Sequence, residues 1–160
     1  MSNKKLTSFQ VMKISETLED FKALLPRYRK CREDESGELL HRFCSRNRNP
    51  LFDITSIDYF SSNLTSENVK NEDKKKLVAD HYIQRTKAVK LIFQELDIKE
   101  NLTFDEFVSL MKKYCSTVLL TKEEHNRVTS FAKMNPNYFN YESYLACGVR
   151  VPGLSEQMLK

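Results

Sequence analysis

The sequence predicts an all-α chain built from pairs of helices, in two small lobes joined near residues 63–73. Three observations predict it. Apolar residues return at steps of three and four along most of the chain, the spacing of a helix buried on one side. Only three of the 160 residues are glycine and four are proline, few for a sheet protein full of tight turns. A charged fraction of 30% with no Trp suits helices whose outer faces carry Lys, Arg and Glu. The 40% hydrophobic content is enough for a real core. Gly37, Gly148 and Gly153 are scattered, so there is no Gly-rich phosphate cradle, which argues against nucleotide-fold enzymes.

The chain divides by pattern into an N-terminal segment (residues 1–14), a helical lobe (15–63), a second lobe (74–149) and a tail (150–160). The first helix is expected over Ser15 to Lys30, where Leu18, Phe21, Leu24 and Leu25 recur; Glu16, Glu19 and Asp20 favour its positive end and Pro26 kinks or ends it. Arg32 to Gly37 is polar and reads as a loop. A short helix follows from Glu38 to about Ser45, broken by the run Arg46 to Pro50. Residues 52–57 alternate briefly, and Tyr59 and Phe60 suggest a further helix. Asn63 to Asp73 is turn-prone and marks the lobe boundary.

From Lys74 onward Leu77, Val78, Tyr82, Val89, Ile92, Phe93 and Leu96 predict one long helix of about 23 residues. Helices are then expected over Phe104 to Tyr114, over Thr121 to Met134 with the capping-box pattern Thr121-x-x-Glu124, and over Tyr141 to about Val149. Pro152 and Gly153 place the tail outside the packed core.

Two stretches of the second half share a grammar of helix, polar turn, apolar alternation and helix. One runs from Phe93-x-x-Leu96-Asp97 into Leu102-Thr103-Phe104-Asp105-Glu106-Phe107, the other from Phe131-x-x-Met134-Asn135 into Phe139-Asn140-Tyr141-Glu142-Ser143-Tyr144. Leu102 and Phe139 are positioned to face each other in a short antiparallel bridge. These residues resemble the EF-hand superfamily, the calmodulin and myosin light-chain type, over about residues 85 to 148; Phe52 to Ile57 is a fainter copy. The resemblance implies helix-loop-helix pairs and a groove that holds an amphipathic helix of a partner.

The loops depart from the family's calcium site. Such a loop has about twelve residues, alternating oxygen ligands, a final bidentate Glu and a Gly at its sharp turn. Asp97 to Glu106 spans ten; a frame starting at Glu95 puts Lys99 at a ligand position and Glu100 at the Gly position. Asn135 to Ser143 spans nine, holds Pro136 and ends in Ser; the fainter copy ends in Ser56 beside Arg46 and Arg48. The resemblance therefore implies a calcium-independent, non-enzymatic module of adaptor or light-chain type, with no cofactor and no metal. Its implied partner-binding residues are Phe93, Phe107, Leu110, Met111, Phe131, Met134 and Tyr144, with the alternative that they simply fill the interior. A calcium sensor is a further alternative.

Other constellations point elsewhere or nowhere. Cys31, His41 and Cys44 invite a zinc site, but a fourth ligand is missing. His81 and His125 fall on charged helix faces with no nucleophile in motif context, and no arrangement supports an enzyme. Arg27, Arg29, Lys30, Arg32, Arg42, Arg46 and Arg48 are seven cations within 22 residues against four acids, enough to raise a second function class, a nucleic-acid or anionic-surface binder over residues 27–48. The net charge of +4 is small for a dedicated nucleic-acid coat. Cys31, Cys44, Cys115 and Cys147 contain no CxxC pair and no signal-like run opens the chain, so a cytoplasmic location with reduced thiols is expected.

Overall fold

A computed structural model of the chain describes residues 5–52, 61–135 and 140–154. It corrects the all-α expectation: among the described residues six α-helices are accompanied by a three-stranded mixed sheet. The chain forms two compact units that interleave in sequence. The first takes residues 1–59 and 85–114, the second residues 60–84 and 115–160. Residues 63–73 are thus no linker; they carry strand and 3-10 helix inside the second unit.

The first unit is helical. α1 (Ser8–Arg32) starts seven residues earlier than its apolar spacing suggests, because Thr7 and Gln10 form a capping box: the Thr7 hydroxyl accepts from the Gln10 amide at 3.2 Å and the Gln10 side chain accepts from the Thr7 amide at 2.7 Å. Pro26 lies inside α1 on its exposed side, where water can serve the carbonyl that its ring leaves without a donor. Asp34 starts α2 (Glu38–Phe52) by accepting from the Leu39 amide at 3.0 Å, and Gly37 adopts the left-handed φ of 72° that the turn needs. α2 runs on through the Arg46 to Pro50 stretch that was expected to break it.

α3 (Arg85–Ile98) and α4 (Phe104–Cys115) complete the unit. Its core is a set of aromatic rings around Phe93, which stacks on Tyr28 at 4.9 Å and meets Phe21 at 4.8 Å and Phe43 at 5.3 Å. Phe107 packs on Phe21 from α4. Ile14, Leu18, Leu25, Ile92, Leu96 and Met111 fill the space between the rings.

The second unit holds the sheet. The long helix expected from Lys74 is instead a 3-10 turn (Lys74–Lys76), the strand β2 (Leu77–His81) and then α3 of the first unit. Leu77, Val78 and Tyr82 fit helical spacing, but Val78, Asp80 and Tyr82 also alternate, and β3 (Thr117–Thr121) supplies the β-branched partner that decides it. β3 is central, pairing antiparallel with β2 and parallel with β1 (Ser61–Thr65). The β1–β3 register slips at Asn63, a non-glycine residue at φ 60°; beside it the Ser62 hydroxyl donates to the Thr117 carbonyl at 2.6 Å.

α5 (Lys122–Met134) begins with the capping box read from the sequence, Thr121 and Glu124. α6 (Asn140–Ala146) follows. Both helices cover one sheet face, where Tyr82, Val118, Leu120, Val128, Tyr144, Val149 and Leu154 form a single core; Leu154 corrects the expectation that the tail from Arg150 lies outside it. Leu102 lies in the α3–α4 turn of the first unit, buried, while Phe139 falls outside the described residues. The alternation over residues 52–57, the helix at Tyr59 and Phe60 and the turn from Pro136 also fall largely or wholly outside the described residues. Among the described residues no helix is long and apolar enough to cross a membrane.

Candidate functional site

The turn that resembles a calcium loop is closed by the chain's own cations. Asp97, at the end of α3, accepts from Arg29 Nε at 2.7 Å and pairs with Arg32; Arg29 Nη2 also meets Glu100 at 2.5 Å. At the far end Glu106 pairs with Lys99 and accepts from the Thr103 amide at 2.9 Å, while the Thr103 hydroxyl accepts from the Glu106 amide at 3.2 Å. This is a third capping box, after those of α1 and α5. The Lys99 contact first, then the Thr103 amide, hold the Glu106 carboxyl below its usual range. Ion pairs therefore occupy the carboxylates a cation would require and fix the turn between α3 and α4.

The same contacts thin the basic patch. Arg29 and Arg32 are paired across to α3, and Arg42 pairs with Glu38 one turn away at 2.5 Å. Arg27, Lys30, Arg46 and Arg48 remain exposed with no ion pair among the described residues. Cys44 is buried beside Phe43, where burial pushes its thiol up to about 11; His41 is exposed and Cys31 half-buried. Cys44 is thus a small core side chain, a poor zinc ligand in this state.

The seven residues assigned to partner binding separate between the units. Phe93, Phe107 and Met111 are buried in the first core and Tyr144 in the second, so these four have no surface to offer. Leu110 and Phe131 are half-buried, and Met134 is 78% exposed. The exposed apolar side chains concentrate elsewhere. Phe9 is 60% and Met12 47% exposed near the start of α1. At about 100° per residue they stand roughly opposite the buried stripe Ile14, Leu18, Phe21, Leu25 and Tyr28. Along that outward side Phe9 and Met12 are followed by Glu16, Glu19 and Asp20, and then by Arg27 and Lys30, all exposed. The face changes from apolar to acidic to basic over about 32 Å. The sequence hides this face, because helical periodicity marks the buried stripe and the apolar spacing begins only near Ser15.

The second unit holds one buried and one half-buried polar cluster among the described residues. Glu124, 2% exposed, accepts from the Ser66 hydroxyl at 2.6 Å, from Asn68 at 2.8 Å and from the Thr121 amide at 2.9 Å. Burial pushes its carboxyl up, but these bonds outweigh burial and hold it below the usual range. It fastens the strand-to-helix corner of β3 and α5 to the segment after β1. In the other cluster Asp80 of β2 is shared by His125 of α5, at 3.0 Å from Nδ1, and by the Tyr144 hydroxyl of α6. Beside Tyr144 opens a cavity of about 300 Å³ lined by Glu67, Val149, Arg150, Val151 and Leu154 among others. Neither Asp80 nor His125 was singled out as a pair by sequence: they lie 45 residues apart, and His81, on β2 rather than a helix, was the equal candidate.

Comparison with protein-family models, with curated proteins and with solved structures finds no match to this chain.

Proposed function

We propose that this chain is a calcium-independent, non-enzymatic interaction module that binds an amphipathic helix of a partner protein along the outward face of α1. The single observation that carries it is the exposed pair Phe9 and Met12 on the side of α1 turned away from the core, continued by an acidic and then a basic segment. A partner helix laid along this face meets an apolar anchor site, then carboxylates, then cations, so its own sequence must run from apolar through basic to acidic. The Arg29 and Arg32 contacts to Asp97 support independence from calcium, because they stabilise the α3–α4 turn without an ion. A cytoplasmic setting suits the four cysteines, none of them in a disulfide.

The test is a synthetic helix of that complementary pattern, followed by amide NMR on the full chain. Shifts are expected along α1 from Phe9 to Lys30, and Phe9→Ala with Met12→Ala is expected to weaken binding by about tenfold or more. Equal binding by the double variant would sink the proposal.

The second reading, an anionic-surface or nucleic-acid binder, rests on Arg27, Lys30, Arg46 and Arg48, which are exposed and have no ion pair among the described residues. It is weakened by Glu16, Glu19 and Asp20 on the same side of α1 and by the pairing of Arg29, Arg32 and Arg42. Duplex DNA at low salt that binds, and releases when Arg46 and Arg48 are neutralised, would favour it instead.

A further inference from the structure

We propose that Asp80 is the centre of a proton-sensitive clasp in the second unit: its carboxylate fastens α5 to β2 through His125 and α6 to β2 through Tyr144, and loss of the His125 proton loosens α5. The placement follows from strand register. Asp80 stands opposite Val118 and Val78 opposite Leu120, so Asp80 shares the sheet face of Val118 and Leu120, which α5 and α6 cover. A carboxylate on that face, 13% exposed, requires partners, and its two oxygens each have one: Oδ1 faces His125 Nδ1 at 3.0 Å and Oδ2 accepts from the Tyr144 hydroxyl. Three elements thus meet at one charge.

The two partners differ in what they do with pH. Tyr144 is 1% exposed, and burial first, then the Asp80 charge, raise its pKa far above the ordinary tyrosine range. It remains a donor throughout, holding α6. The His125 side chain is 32% exposed, so protons reach it, and its bond to Asp80, offset in part by burial, raises its pKa above 6.5. A raised histidine contributes stability that is fully present below the ordinary value and is lost as pH rises through the folded one. Protonated, His125 gives Asp80 a charge-assisted bond; neutral, it gives only an ordinary one.

Asp80 is the charge that raises the His125 ring, and on α5 Lys122 stands one turn before it. Asp80 faces it from β2, and Tyr144 from α6 shares that carboxylate, with Tyr82 close to Tyr144; β3 carries no ionisable side chain. On α5 itself Glu124 is bound to Ser66, Asn68 and Thr121, and Arg127 reaches Glu123.

The experiment is a pH titration of the full chain from about 5 to 8.5, recording the His125 ring by NMR and the hydrogen-exchange protection of the Val128 amide in α5. The expected result is a His125 midpoint above 6.5, with Val128 protection falling as pH passes that midpoint. Each unit by which the midpoint exceeds the unfolded value corresponds to about a tenfold change in the opening equilibrium. Asp80→Asn should bring the midpoint to the ordinary value or below and flatten the protection profile. If that variant does not fold, His125→Gln, which keeps a donor but cannot titrate, should remove the pH dependence of Val128 protection. A wild-type midpoint at or below 6.5, or the same pH profile in His125→Gln as in the wild type, overturns the proposal.

Discussion

The two units solve the same problem with opposite materials. In the first, four helices close on aromatic rings, with Phe93 in contact with Phe21, Tyr28 and Phe43, and its ion pairs sit at the rim. In the second, a small sheet and two helices surround an apolar core but depend on two partnered carboxylates, the buried Glu124 and the half-buried Asp80. Packing of rings is nearly indifferent to pH, whereas the buried Glu124 and the coupled His125 are not. The comparison teaches that one chain can carry a half held by ring packing and a half held by partnered carboxylates.

The largest expected effect sharpens the contrast from the rigid side. Phe93→Ala removes the ring that three others touch and should cost about 4 kcal/mol, read by urea unfolding with probes on α1 and α3. Next, Glu124→Ala leaves the Ser66 hydroxyl, the Asn68 amide and the Thr121 amide without their acceptor, and should cost about 2 kcal/mol, confined to the second unit.

A pH series then separates the units without mutation. The lowered Glu124 contributes stability that is present above the ordinary carboxylate value and is lost as pH falls through its folded one; the raised His125 contributes in the opposite sense at the alkaline side. Amide protection in α5 should therefore pass through a maximum between the two, while protection in α3 stays nearly flat. Equal pH profiles in both units would break the comparison. The smallest effect is expected for Arg29→Met, which loses partly exposed pairs to Asp97 and Glu100 and should cost about 0.5 kcal/mol in thermal unfolding.

What the sequence discloses follows the same division. The core stripes of α1, α3 and α4 are legible because helical burial writes itself at steps of three and four, and the Thr121–Glu124 capping box is legible because both partners are local. The sheet was not. β1 is polar, Ser-Ser-Asn-Leu-Thr, and β2 mimics helical spacing, so each becomes a strand only through its pairing with β3, 36 or more residues onward. The interleaving of the units has the same origin: β1 and β3 are parallel neighbours, which requires a long crossover, and α3 and α4 of the first unit lie within it. Asp80 and His125 meet only after that crossover closes.

The account's central claim is binding of a partner helix along α1 without calcium. It is tested most directly by calorimetric titration of the complementary synthetic helix into the full chain, first with a chelator present and then with excess calcium. The account predicts the same affinity and heat in both conditions, and loss of both in the Phe9→Ala, Met12→Ala variant. Binding that appears only with calcium, or that survives the double substitution undiminished, would contradict it.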